Sequence, residues 1–391
     1  MDSDPKDIYT ALMTRFRADG FAGWDPFDGL ESKVFQATPL RRLAAGRVAW
    51  LQMVKRSPWN LRPVLGVPKG LNSKGIALFA LAEIGRFRAT GGSDHKAKAA
   101  ELLGLLRTLA LTTPNGMAFG YNFDWQSRAF FAPKGTPTIV PTAFAARAFI
   151  EGFYQTGDEH HLEIARNICR FIVGDLRRPH ENDREVCFSY TPGDVSLIYN
   201  ASLLAAEILA EVGTIEGSEE YLALAEKAAR YVTERQGDRG EWAYGPKLRH
   251  AWIDNFHTAF ILSSLVRIGT RVKAVRNYAD SAVAKGFNLW IENFFTEEGA
   301  PKYFDNKLYP IDIHSAAAAL VTLADFADRD ERAVPLAEVV LRWTISNMWS
   351  GDDHFYYQKR QFMTVRTPFV RWAQAWMAYG IARLMEVREA H

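Results

Sequence analysis

Apolar, alanine-rich runs recur along this chain at a nearly constant interval. They begin at Asn72, Val140, Ser196, Ile253, Ile311 and Thr367, which are 68, 56, 57, 58 and 56 residues apart. Runs such as AFAARAFIEGFY, ASLLAAEILAEV and HSAAAALVTLADFA are nearly apolar all round, and a helix without a polar face is buried. Most are followed by a run with charge on one face only, such as AEKAARYVTERQ. The pattern predicts helix pairs at 73–90 with 94–111, 141–156 with 158–177, 197–212 with 218–236, 254–268 with 271–293, and 312–327 with 331–348. The sixth start leads into 368–387 and has no partner after it. A fixed period of this size means one supersecondary unit stacked many times. Six helical hairpins can close into a ring, an all-α (α/α)6 barrel with inner and outer helices.

The segment 1–70 does not follow the period. Short helices are predicted near 5–18 and at 38–56, the latter with Thr38 as cap and Pro39 at its first position. The helix at 38–56 is expected to partner the sixth inner helix and close the ring. Residues 1–391 thus read as a single toroid domain, with 1–70 as an extension that carries the closing helix.

Five connections between outer and inner helices are long and alike. GMAFGYNFDWQSRAFFAPKG, EVCFSYTPGDVSLIYN, GEWAYGPKLRHAWIDN, GAPKYFDNKLYPID and DHFYYQKRQFMTVRTPFVRW each open on an aromatic, strand-like segment. They predict short β-hairpins gathered at one rim, and long irregular loops are usually functional. The inner-helix starts are therefore the place to look for chemistry. The longer first interval marks 112–139 as a rim or lid.

Composition narrows the classes. Of 391 residues 48% are hydrophobic and 24% charged, with a net charge of +2, so a folded domain is expected and no electrostatic footprint for nucleic acid is present. The two cysteines, Cys169 and Cys187, form no CxxC pair. MDSDPKDIYT lacks the apolar core of a secretion signal, and no run is long enough to cross a membrane. A cytoplasmic location is the expectation. No GxSxG, GxGxxG, P-loop or HExxH occurs, and His160 and His161 near Glu163 sit at a predicted turn. No metal and no cofactor is expected. The DxDD acid motif of squalene-cyclase-like toroids is absent too.

The candidate chemistry lies at the last three helix starts. WIDNFHTAF puts Asp254 and His257 three residues apart, on one helix face, where a carboxylate can orient an imidazole as a general base. The competing reading is a helix cap beside a core histidine. PIDIHSAAAAL repeats the theme with Asp312, which reads better as a cap, and His314 at nearly the place of His257. TPFVRWAQAW offers Arg371 and Gln374. Arg371 can hold a carboxylate or phosphate, or pair with a neighbouring hairpin. Asn200 reads better as a local cap than as a ligand. Trp125, Tyr190, Trp242, Tyr244, Tyr303 and Trp372, with Tyr356 and Trp376, recur at equivalent places. Such rings can stack on sugars or simply pack the hairpins.

These features together resemble the six-hairpin glycosidase-like toroids, which include unsaturated glucuronyl hydrolases, N-acylglucosamine 2-epimerase-like enzymes and related polysaccharide lyases. GWDPFDGL (23–30), SPWNLRPVLGVPKGLN (57–72), WIDNFHTAF (252–260) and PKYFDNKLYPIDIHSAAAAL (301–320) look like a poorly characterised cytoplasmic group associated with bacterial polysaccharide biosynthesis. The resemblance spans nearly the whole chain and implies a carbohydrate-active enzyme using acid/base chemistry: hydrolysis, elimination or epimerisation. Asp254, His257, Asp312 and His314 would be its catalytic set, with Arg371 holding an anionic group of a sugar or oligosaccharide. A glycan-binding scaffold of a polysaccharide-assembly system is the alternative, and a lipid-carrier-handling toroid a third. The paired aspartates of the glucuronyl hydrolases have no clear counterpart here.

Overall fold

The computed structural model describes residues 4–126 and 131–390. Its helices are α1 (Pro5–Ala18), α2 (Lys33–Gln36), α3 (Ala44–Arg56), α4 (Ser73–Thr90), α5 (Ser93–Arg107), α6 (Ile139–Thr156), α7 (Glu159–Gly174), α8 (Tyr199–Glu216), α9 (Glu219–Thr233), α10 (Asn255–Arg271), α11 (Lys273–Asn293), α12 (Ile313–Asp325), α13 (Ala333–Met348) and α14 (Ala375–Ala390). The even-numbered helices from α4 to α14 pack each on the next, and α14 returns to α4, so the inner ring is closed. The odd-numbered helices α5 to α13 each pack on the inner helix of their own hairpin. This is the (α/α)6 toroid that the period implies.

Local sequence explains the regularity. Gly91, Gly157 and Gly217 end α4, α6 and α8 at φ 67°, 68° and 67°. Only glycine adopts that left-handed cap without strain, and it turns the chain tightly into the outer helix. At the other end the caps are side chains: Asn72, Asp254 and Asp312 accept backbone N–H groups of α4, α10 and α12.

The ring-closing helix is a correction. The outer partner of α14 is α1, which turns Ile8, Tyr9, Leu12, Met13 and Phe16 inward against it. The predicted helix at 38–56 is instead a 3-10 turn (Pro39–Arg42) followed by α3, which buries only Leu51 and Val54. It lies over the N-terminal loop, where Leu51 packs with Leu30 and Phe35. The rim hairpins are two-residue strands, with β1 (Leu111–Thr112) on β2 (Met117–Ala118), β3 (Trp125–Gln126) on β4 (Phe131–Ala132), and β5 (His180–Glu181) on β6 (Val186–Cys187). β7 (Ile311–Asp312), β8 (Gln358–Lys359) and β9 (Thr364–Val365) form one three-stranded sheet. Residues 127–130 of the predicted rim segment lie outside the described residues.

Candidate active site at the ring axis

Rings from helices that are not neighbours meet along the axis. Phe144 of α6 lies 5.1 Å from Trp376 of α14 and 6.3 Å from Phe260 of α10, and Phe260 stacks on Trp376 at 5.3 Å between centroids. These side chains sit at one depth, with Leu204 and Ala318 beside them. One turn nearer the mouth, the second helical position of successive inner helices is Lys74, Val140, Asn200, Phe256 and His314. Trp372 completes that layer, stacked on His314 at 4.2 Å and 5.7 Å from Phe256. It is carried by a π-helical turn, Val370–Gln374, in place of a capped start. Such turns are frequent at functional sites.

The two histidines are held differently. Asp254 caps α10 by accepting the His257 N–H at 3.0 Å. Its other oxygen accepts His257 Nδ1–H at 2.7 Å and the Trp252 indole N–H at 3.0 Å. A carboxylate only accepts here, so His257 carries its proton on Nδ1 and keeps Nε2 for other partners. The His257 side chain is 21% exposed, 4.3 Å from the Phe256 ring and 4.5 Å from Tyr244. His314 donates Nδ1–H to the Trp372 carbonyl at 2.9 Å, so its Nε2 is also left. Burial, with Lys74 and Arg371 nearby, holds the His314 pKa well below the usual value, and the ring is neutral at neutral pH.

Both oxygens of Asp312 are taken by protein donors. Its oxygens accept the His314 N–H (3.0 Å), the Trp372 indole N–H (2.8 Å) and the Gln358 amide (3.0 Å). Burial raises its pKa, against those donors and Lys55. It thereby holds the stack of Trp372 on His314.

Four other expectations are corrected. The Arg371 fork is closed by Asp25, at 2.6 Å from Nε and 2.8 Å from Nη2, so it anchors the N-terminal segment instead of a substrate anion. The Gln374 amide is spent on the Phe355 backbone, donating at 2.8 Å and accepting at 2.9 Å. Trp242 is a core residue, 2% exposed, with its indole N–H on the Val232 carbonyl. Asn200 is not a local cap either: its Oδ1 is buried with no hydrogen-bond partner among the described residues. Ser315 Oγ and Trp376 Nε1 share that condition, and both belong to the two helices flanking the axis at His314. Tyr190 and Trp125 face each other at 5.3 Å, and the Tyr190 hydroxyl meets that of Tyr121 at 3.4 Å. Tyr303 packs edge-on against Phe256 at 5.5 Å.

Lys74 is the residue the sequence reading missed. It is 2% exposed, and its Nζ lies 4.3 Å over Phe144, 5.0 Å over Trp376 and 5.4 Å over Phe260. Burial pushes its pKa well below the usual lysine value, with the Arg371 and Arg147 cations adding to the effect. Aligning the units at their capping residues would have found it, because Lys74 stands where His314 stands in the fifth unit.

A buried amine of this kind costs stability, and the cost has a pH signature. The unfolded lysine binds its proton up to about pH 10.5, whereas the folded one releases it earlier, so stability rises with pH across that window. Lys74→Met is therefore expected to raise the melting temperature by a few degrees at pH 7, about 1–2 kcal/mol. The gain should shrink as pH approaches 10.5. A calorimetric series from pH 6 to 10 checks this, and a variant less stable than the parent throughout would refute it.

The N-terminal segment roofs the mouth. Beyond Asp25–Arg371, Asp28 pairs with Arg62 at 2.6 Å, and Arg62 also donates to the Asp25 carbonyl. Burial raises the Asp28 pKa to about 7 despite the arginine. Lys55 of α3 places Nζ 4.0 Å over Phe27, which packs edge-on against Trp372 at 5.4 Å. Burial lowers the Lys55 pKa to about 8, with Asp312 and Asp25 opposing.

No family model matches the sequence, and no curated protein matches it either. Solved structures do match. A GH76 alpha-mannanase of Bacteroides thetaiotaomicron superposes at TM-score 0.66 and 11% identity, covering 83% of this chain and 89% of that one. A sugar epimerase from a ruminal bacterium gives 0.63 at 12% identity, covering 83% and 90%. An unsaturated glucuronyl hydrolase specific for heparin gives 0.62 at 12% identity, covering 98% and 96%. The shared property is the fold. At these identities the (α/α)6 toroid is established, and the chemistry must come from the residues on the axis.

Among the described residues no helix is long and apolar enough to cross a membrane, and no cluster of three metal-ligating side chains occurs.

Proposed function

We propose that this chain is a sugar-acting enzyme of epimerase or isomerase type, which moves a proton at the carbon beside a sugar carbonyl. The observation that carries the reading is the pair of oriented imidazoles. His257 and His314 lie against the same Phe256 ring, at 4.3 and 4.8 Å between centroids, each with Nδ1 engaged and Nε2 left. The neutral His314 abstracts the proton through Nε2 as general base, and His257, in its imidazolium form with Nδ1–H held by Asp254, returns one from Nε2. The Lys74 amine donates a hydrogen bond to the carbonyl oxygen as charge gathers there. Asn200 Oδ1 accepts from a sugar hydroxyl, and the Phe256, Trp372 and Tyr244 rings face the C–H surfaces.

Hydrolysis fits the site less well. It needs two carboxyls flanking the bond, roughly 5–10 Å apart. Asp254, Asp312 and Asp25 are each occupied by N–H donors of the protein. A cytoplasmic role on an intermediate of bacterial polysaccharide metabolism is the context we propose, carried by the four sequence segments quoted above.

The test is proton exchange. Incubated in D2O with a panel of reducing mono- and disaccharides, the protein should wash out the C2 proton of at least one, read by NMR. Exchange with none of them, with release of reducing ends from an oligosaccharide instead, would replace this reading with hydrolysis. Binding without either reaction would favour the glycan-binding scaffold.

A further inference from the structure

Two stretches at the mouth end of the ring are basic and free of acids. No Asp or Glu occurs between residues 32 and 82, while residues 33–69 hold eight Lys or Arg. None occurs between 354 and 385 either, and residues 354–371 hold four Lys or Arg. The two stretches touch, since Arg360 donates to the Arg56 carbonyl at 3.2 Å. At the far end, four of the five turns joining inner to outer helices carry acids, GSD (92–94), GDE (157–159), GSEE (217–220) and DRDE (328–331), while the fifth, GTRVK (269–273), is basic.

The same basic stretches expose large apolar side chains. Trp59 is 76% exposed and Phe362 90%, and Leu40, Leu43, Val48, Met53, Val64 and Met363 are exposed beside them. In the connection leading into α10, Leu248 is 94% exposed between Lys247 and Arg249. Apolar tips set between cations are costly in water and are what an interfacial surface requires. Each cation near an anionic surface adds to binding, and each buried apolar tip adds more.

We infer that the mouth rim docks on an anionic lipid bilayer, with Trp59, Leu248 and Phe362 entering the headgroup region and Arg41, Arg42, Arg56 and Arg366 facing lipid phosphates. The acid-free positive charge of these two stretches favours a membrane over a second copy of this chain, because two such patches would repel each other. The far rim then faces away from the surface. Docking in this way brings the axis mouth to the bilayer, where a sugar carried on a lipid anchor would enter. The surface residues are separate from the axis, so this inference stands or falls apart from the proposed chemistry.

Vesicle flotation with the full chain tests it. Vesicles of phosphatidylglycerol and phosphatidylcholine should carry the protein at least tenfold better than phosphatidylcholine alone, and 0.5 M salt should cut the difference severalfold. Trp59→Ser/Leu248→Ser/Phe362→Ser and, separately, Arg41→Glu/Arg42→Glu should each lower binding at least tenfold, with melting temperature and sugar exchange unchanged. Equal binding to both vesicle types, no binding to either, or binding untouched by these substitutions would overturn the inference. So would a dimer in sedimentation that the serine variants dissociate, which would assign the patch to a second copy.

Discussion

Replacing Asp25 by Ala is expected to destabilise the protein by about 3–5 kcal/mol, because it strands a buried guanidinium. Arg371 is 4% exposed and Asp25 4%, and two of the arginine's donors end on that one carboxylate. Nothing else described is placed to take them. The loss should appear as a lower urea midpoint with little change in slope. Asp25→Ala/Arg371→Leu should recover much of it, since removing both charges leaves no orphan. Asp25→Ala alone should also loosen the roof over the mouth, because the Trp24 carbonyl accepts the Val370 N–H beside the ion pair. Hydrogen exchange at residues 24–28 and 369–372 reads that effect directly. A midpoint within about 0.5 kcal/mol of the parent would show that the pair contributes no more than a surface bridge.

The contrast between Arg371 and the repeat itself shows what the sequence made legible. Five inner helices were read to within four residues at each end, the sixth starting seven residues late, because their signal is local: a nearly all-round apolar run, closed on some by a side-chain cap and on others by a glycine stop. Their closure into a ring followed from the period. The closing helix was misassigned, although the information was present. Residues 8, 9, 12, 13 and 16 of α1 already show the one-sided spacing of an outer helix, whereas 38–56 shows apolar residues without a consistent face. What could not be read is long-range pairing. Arg371 and Gln374 have the same look in the sequence as binding residues, but their partners, Asp25 and Phe355, are fixed only by the folded ring. Lys74 failed for another reason. A lone lysine in an apolar run suggests a helix exposed on one side, and only its register against His314 assigns it to the axis.

The second large effect concerns the histidines. His257→Asn and His314→Asn should each lower C2-proton exchange by 10²–10⁴-fold, the usual worth of a positioned acid or base. Asn preserves the approximate shape and a hydrogen bond to Asp254 or to the Trp372 carbonyl, so both variants should keep their melting temperatures within a few degrees. Their losses should not add, because the two groups serve one proton transfer in sequence. Asp312→Asn should act indirectly. It puts an amide donor among three N–H donors, tilting Trp372 and His314, so rate should fall without loss of the pH-dependent limb that belongs to the histidines.

The most direct measurement follows deuterium at C2 of a sugar bound by the wild-type protein, with His257→Asn and His314→Asn in parallel. The account predicts exchange by the parent and a loss of at least 10²-fold in both variants, with sugar affinity changed by less than tenfold. Exchange undiminished in either variant would contradict it, as would a parent that binds the sugar and leaves its C2 proton in place.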